Sequence, residues 1–141
     1  MNNGKRLFGK VAIITGAADG FGAATARRFV AQGCRVIAVD LQVGNSQLMM
    51  AELGHDYVFV QADHCSVADN QRVVETALSR WGGVDILFNN AGIAWTGDFE
   101  SIDEPLLEHV LDVNLNGPLR MTAAALPALK ESAKKSGSDG A

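Results

Sequence analysis

The chain has 141 residues and a mass of 14.9 kDa, with 48% hydrophobic and 20% charged positions. That composition excludes a disordered or collagen-like chain, and a single domain of this size buries about 68% of its unfolded surface. Twelve Lys and Arg against sixteen Asp and Glu leave a net charge of −4, with no run of like charge longer than a pair, so there is no footprint for nucleic acid or an anionic membrane.

Apolar stretches such as Val11–Ile14 and Ile86–Phe88 are far too short to span a bilayer, and the opening residues up to Arg6 lead into no apolar signal region. The expected address is cytoplasmic. Cys34 and Cys65 stand 31 positions apart without Cys-x-x-Cys spacing. They form neither a disulfide framework nor a zinc site, and read as small buried hydrophobes in a reducing compartment.

In chain order, β-branched apolar runs alternate with segments of helical period. Val11–Thr15 is a first strand. Gly22–Gln32 is a helix with Ala26, Phe29 and Val30 on one face and Gly33 as its left-handed cap. Arg35–Asp40 is a second strand, Ser46–Leu53 a short helix ended by Gly54, and Tyr57–Ala62 a third strand. Ser66–Trp81 is a helix with Val67, Val74, Leu78 and Trp81 on one stripe, stopped by Gly82 and Gly83.

Val84–Asn89, apolar at nearly every position, is a fourth strand of the kind covered on both faces and placed at the centre of a sheet. Ser101–Glu104 has the form of a capping box with Pro105 in the first turn, opening a long helical tract. Along it Leu115, Leu119, Thr122, Leu126, Leu129 and Ala133 recur at steps of four and three and form one face. Lys134–Ala141 is a polar, frayed tail. The alternation predicts one α/β domain of Rossmann type over residues 1–141, a doubly wound parallel sheet with strands in the order 3-2-1-4.

Directly after the first strand, Gly16, Asp19, Gly20, Phe21 and Gly22 lie in a glycine turn that runs into the first helix. Unpaired backbone N–H groups and the positive helix end converge there on an anion, and a Cβ would block the close approach of a pyrophosphate. Eighteen positions beyond Gly22, Asp40 ends the second strand. A carboxylate there accepts hydrogen bonds from an adenosine ribose and repels a 2′-phosphate, favouring NAD over NADP. Asp19 adds a second acidic group where a phosphate would want Arg or Lys. His64 and Cys65 adjoin Asp63, but no second cluster with ligand spacing accompanies them, so no metal site is expected. His55 and His109 read as surface or satisfied residues.

Pro118 lacks an N–H and crowds the carbonyl four residues back, so the helix should kink at Asn114 and free its peptide oxygen to hold water. A kinked packing helix is an equally good reading of the same residues.

Taken together, Gly16-x-x-x-Gly20-x-Gly22, Asp40, Asp63 and the run Asn89, Asn90, Ala91 and Gly92 resemble the classical short-chain dehydrogenase/reductases over about residues 5–132. The resemblance implies that Asp63 meets the adenine amino group, although without it Asp63 is as readily a loop residue ahead of the helix cap Ser66. It implies that Asn90, Ala91 and Gly92 line the floor beneath the adenosine ribose, and that Asn114 is the first of four catalytic residues, its main chain holding a water in a proton relay. It also implies hydride transfer between NAD and an alcohol or carbonyl substrate, and a homodimer or homotetramer through the long helix around 115–133. That helix face is equally suited to burial within one chain.

The resemblance breaks where the chemistry begins. The family also needs a Ser, a Tyr acting as acid and base, and a Lys four positions after that Tyr. The single tyrosine, Tyr57, opens a strand and is followed four positions later by Gln61. The expectation is therefore the cofactor-binding portion of an enzyme of about 250 residues and seven strands, inactive by itself. The alternative is a non-catalytic dinucleotide-binding or regulatory module.

Overall fold

β1 (Val11–Thr15) is buried along its whole length because its side chains alternate between two covered faces. Val11 and Ile13 pack with Val73, Ala77, Val84, Met121 and Ala125 on one side, whereas Ala12 and Ile14 pack with Ala26, Met49 and Tyr57 on the other. β2 (Arg35–Asp40) repeats the division, sending Ile37 and Val39 to the first cluster and Val36 and Ala38 to the second. Each such aliphatic side chain contributes about 1.5–3 kcal/mol by leaving water. The computed structural model describes residues 4–137.

β3 (Tyr57–Gln61) pairs with β2, and β4 (Ile86–Phe88) pairs with β1, all parallel, in the order β3-β2-β1-β4. This is the predicted Rossmann-type arrangement. α1 (Gly20–Ala31) and α2 (Ser46–Leu53) supply the cover on one face, α3 (Val67–Trp81) and α5 (Gly117–Lys135) on the other. The connection through α3 carries the chain from β3 past β1 to β4, which leaves a crevice beyond the carboxyl ends of β1 and β4 where the strand order reverses.

Several boundaries and faces differ from the sequence reading. α1 begins two residues earlier than predicted, and β3 ends one residue earlier. β4 is shorter than Val84–Asn89 and only half-buried, and it stands at the edge of the sheet, as the order 3-2-1-4 requires despite its apolar sequence. On α3, Val67 and Leu78 are exposed, and the inner face is Asn70, Val73, Val74 and Ala77. Ser101 lies in a short 3₁₀ turn, and Asp103 caps α4 (Glu104–Leu111), its Oδ1 accepting from the Leu106 N–H at 2.9 Å.

The long tract is neither continuous nor simply kinked. α4 passes through a π-turn, Asp112–Asn116, into α5. The predicted leucine stripe divides: Leu115 in the π-turn and Leu119 and Leu126 on α5 are exposed, Leu119 by 60%, whereas Leu129 packs against the core. The buried residues are Gly117, Met121, Ala125 and Ala128; the three small ones let α5 lie close against α3, and Met121 fills the core. Lys134 and Lys135, expected in a frayed tail, are helical, and the rest of that tail from residue 138 lies outside the described residues.

Candidate functional site

Thr15 closes β1 with a buried hydroxyl whose oxygen accepts from the main-chain N–H groups of both Asn90 and Ala91, each at 3.0 Å. In return Asn90 Nδ2 donates to the carbonyls of Thr15 and Gly16, both at 3.1 Å. The exits of β1 and β4 are thereby fastened together. A Cβ on Gly16, whose φ is +63°, would stand 2.8 Å from Ala91 Cα, and one on Gly22 would overlap the Gly16 carbonyl oxygen. Glycine is required at both positions by the protein's own packing. Gly20 takes a left-handed φ of +55° at the start of α1, and Phe21 beside it is 87% exposed.

Asp40 leaves β2 pointing into the same crevice. Its Oδ2 accepts from the Ala18 N–H and its Oδ1 from the Gln42 N–H, both at 3.1 Å, which ties it to the glycine loop. Asp19 precedes α1 and accepts a hydrogen bond from Asn45 Nδ2, while the Asn45 N–H reaches the Ala18 carbonyl at 3.1 Å. Both carboxylates line a cleft of about 260 Å³ together with Gly16, Asn90, Ala91 and Gly92.

Asp63 follows β3. Its Oδ1 accepts from the Cys65 N–H at 2.8 Å, and its own N–H donates to Asp69 Oδ2 at 2.8 Å. That amide and the Arg72 guanidinium hold the Asp69 carboxyl below the usual carboxylate range. Cys65, expected to be buried, is half-buried, and its thiol donates to the Asp112 carbonyl at 3.4 Å. Burial, followed by the negative charges of Asp63 and Asp112, pushes that thiol up to about 12.

The ligand-type atoms of Asp63, His64 and Cys65 lie within 4.8 Å of one another, yet each residue makes an internal hydrogen bond: to the Cys65 amide, the Val113 carbonyl and the Asp112 carbonyl respectively. His55 and His109 are exposed.

Asn114 sits in the π-turn. Pro118 predicts a free main-chain oxygen at this residue, whereas the structure gives its side chain a definite task. Oδ1 accepts from the Ile93 N–H and Nδ2 donates to the Ile93 carbonyl, both at 2.8 Å. It thus braces the segment leaving Gly92, the next residue back along the cleft floor. The π-turn carbonyls that meet donors from outside the helix are those of Val113, at 2.8 Å from His64 Nε2, and Asp112, at 3.4 Å from the Cys65 thiol.

Of the residues singled out from sequence, Gly16, Asp19, Asp40, Asn90, Ala91 and Gly92 line the cleft. Gly20, Phe21, Gly22, Asp63 and Asn114 surround it without being part of that lining. Thr15, His64, Ile93 and Val113 line it and were not assigned to it. Thr15 carried one signal, a hydroxyl closing an otherwise aliphatic strand; the other three meet only through tertiary packing.

The arrangement offers backbone N–H groups and a positive helix end to a phosphate, carboxylates to hydroxyl groups, and a floor of small residues. It offers no acid or base from Tyr57, which is buried in the α1–α2 cluster with its hydroxyl 3.8 Å from Met49 Sδ and pushed up to about 12 by burial. Among the described residues no helix is long and apolar enough to cross a membrane.

A family model described as short chain dehydrogenase matches residues 10–138. The short-chain dehydrogenase reductase ATA1 of Arabidopsis thaliana is 41% identical over 132 residues, 91% of this chain and 47% of that protein. Momilactone A synthase of Oryza sativa subsp. japonica is 41% identical over 124 residues, 86% of this chain and 45% of that protein. Among solved structures, the 3-ketoacyl-(acyl-carrier-protein) reductase of Brucella melitensis complexed with NADH aligns with a TM-score of 0.87 at 39% identity, covering 92% of this chain and 54% of that one. The chain spans about half the length of the relatives it matches. With the strand order, the glycine loop and a match from residue 10 to residue 138 in agreement, the chain belongs to the short-chain dehydrogenase family.

Proposed function

We propose that these residues form the dinucleotide-binding portion of an oxidoreductase that moves a hydride between NAD and an alcohol or carbonyl substrate. The observation that carries this reading is Asp40, whose carboxylate ends β2 while bonded to the Ala18 N–H of the glycine loop. It sets an acceptor for ribose hydroxyls beside a cradle for a pyrophosphate. The contacts a Cβ at Gly22 or Gly16 would make, with the Gly16 carbonyl and with Ala91, keep the loop tightly folded against the exit of β4, which supports that cradle.

NAD supplies the hydride-transfer chemistry when bound. The main-chain N–H groups at the helical end of the loop, from Asp19 to Gly22, would hold its pyrophosphate beside the exposed Phe21, those of Ala17 and Ala18 being bonded to the Val39 carbonyl and to Asp40. Asp40 takes the adenosine ribose and, with Asp19, disfavours the extra phosphate of NADP. Asp63 addresses the adenine amino group, and Asn90, Ala91 and Gly92 support the ribose from below. Asn114 belongs to the proton relay of the complete enzyme.

The residues present bind and orient but do not supply the acid and base of turnover, so the 141-residue chain binds NADH without oxidising alcohols. The complete enzyme is assigned to the cytoplasm and to a homodimer or homotetramer through the helix around 115–133. Calorimetric titration of the chain with NADH and NADPH tests the reading. Saturable, one-site binding with NADH the tighter ligand is the expected result, and tighter NADPH binding or no binding of either overturns it.

A further inference from the structure

His64 is 6% exposed and is held at both ends. Its main-chain carbonyl accepts from Asn70 Nδ2 at 2.8 Å, and the Asn70 side chain is itself buried. Its ring Nε2 meets the Val113 carbonyl, also at 2.8 Å, in the π-turn between α4 and α5. A π-turn takes a residue out of the ordinary helical ladder, and such turns persist where something outside the helix uses the change. Here the outside partners are the His64 imidazole on the Val113 carbonyl, at 2.8 Å, and the Cys65 thiol on the Asp112 carbonyl, at 3.4 Å, the imidazole making the shorter contact.

Gly117 reports the same contact from the other side. Its φ of −57° is helical, so no backbone requirement calls for glycine. A Cβ there would overlap His64 Cδ2. The glycine leaves room for the ring against the turn.

One residue beyond Val113, Asn114 holds Ile93 by two hydrogen bonds, and Ile93 continues the cleft floor from Gly92. His64, Val113 and Ile93 all line the cleft. One chain of contacts therefore runs from the residue after Asp63, through the π-turn, to the floor beneath the proposed cofactor site.

We propose that His64 is a positioning residue: its Nε2–H clamps the Val113 carbonyl, fixes the π-turn and thereby sets the Asn114 amide on Ile93. The inference rests on the reading of the cleft as a dinucleotide site for its effect on binding, but not for the clamp itself. The clamp requires a donor at the Nε2 position, a demand that a residue merely filling space would not make.

The test uses the 141-residue chain and three variants. His64→Leu keeps bulk without a donor, His64→Gln places an amide N–H₂ near the Nε2 position, and His64→Asn places one near Nδ1 instead. Amide hydrogen exchange at Ile93 reads the clamp without NADH, exchange at Ile13 in β1 reports global opening, and titration with NADH reads the cleft. Loss of one hydrogen bond in His64→Leu should speed Ile93 exchange about tenfold, with Ile13 little changed, and weaken NADH about tenfold. His64→Gln should restore both and His64→Asn should not. Gly117→Ala should reproduce the Ile93 change with His64 still present.

Unchanged Ile93 exchange in His64→Leu overturns the clamp. So does an equal acceleration at Ile93 and Ile13, or equal behaviour of the Leu and Gln variants. Failure of the unsubstituted chain to bind NADH overturns the cofactor reading instead, while the exchange comparison still decides the clamp.

Discussion

Gly22 lies so close beneath Gly16 that a Cβ on it would overlap the Gly16 carbonyl oxygen, with Asn90 Nδ2 2.7 Å from the same point. The obstacles are a main-chain carbonyl and a side chain already bonded to Thr15 and Gly16, so neither can move aside independently. Gly22→Ala should cost about 1–3 kcal/mol by overpacking and lose NADH binding beyond that cost. Urea unfolding with a parallel titration checks both, and an unaltered midpoint would refute the close packing.

Cofactor choice is predicted to follow the two carboxylates. Asp40→Ala removes a charge that would face a 2′-phosphate, a repulsion of about 1–4 kcal/mol at 4 Å between bulk-water and surface-like dielectrics. It also strips the Ala18 N–H of its acceptor. The NADPH-to-NADH affinity ratio should rise at least about tenfold, and Asp19→Asn should raise it further in the double variant. Competition titrations with both cofactors measure this; a ratio that does not move removes Asp40 from the discrimination.

A third prediction concerns acid stability. The Asp69 carboxyl is depressed first by the Asp63 amide and then by Arg72. A group depressed in the folded state stabilises above its unfolded pKa, about 3.9, and that contribution is lost as pH falls through this value toward the folded one. Stability should therefore decline below about pH 4, and Asp69→Asn should flatten that decline while leaving the slope between pH 6 and 8 unchanged. Urea midpoints across pH 2–8 read the difference. An unchanged acid limb in the variant would show that the carboxylate does not contribute.

The two thiols should be sluggish toward alkylation. Cys34 is buried and raised to about 12, chiefly by burial, and Cys65 is raised to about 12 by burial and the charges of Asp63 and Asp112. At pH 8 both should react with iodoacetamide more than about a hundredfold slower than a free cysteine, because only the thiolate attacks. Asp112→Asn should speed Cys65 and leave Cys34 unchanged. Mass spectrometry resolves the two sites, and fast labelling of Cys65 in the unsubstituted chain contradicts its raised pKa.

The strand order and the glycine loop were legible because their signals are local and physical. β1 and β2 are short β-branched runs, and the glycine spacing answers to close packing at Gly16 and Gly22 and to a left-handed φ of +55° at Gly20. What escaped the sequence depended on which neighbours arrive. Gly117, Ala125 and Ala128, with Met121 among them, form the inner face of α5, since close approach to α3 selects small residues at three of these positions and hydrophobicity alone ranks leucine higher. The capping box at Ser101 gave way to Asp103 because a 3₁₀ turn takes up the preceding residues. His64 joined the cleft through a π-turn forty-nine positions away, a contact no periodicity encodes.

The outward leucines of α5 give the last prediction. Leu119 and Leu126 are exposed, whereas Met121 is fully buried between α3, α5 and the sheet. Met121→Ala should cost about 2–5 kcal/mol, as for other large-to-small core changes. Leu119→Lys with Leu126→Lys should shift stability by no more than about 0.5 kcal/mol each, since neither side chain loses a packed site. If these leucines form a contact between copies, the same pair should lower self-association in sedimentation velocity while leaving the unfolding midpoint in place. A double variant as associated as its parent would remove this helix face from the proposed contact. One that unfolds early would return the leucines to the core, where the sequence allowed them and the structure does not place them.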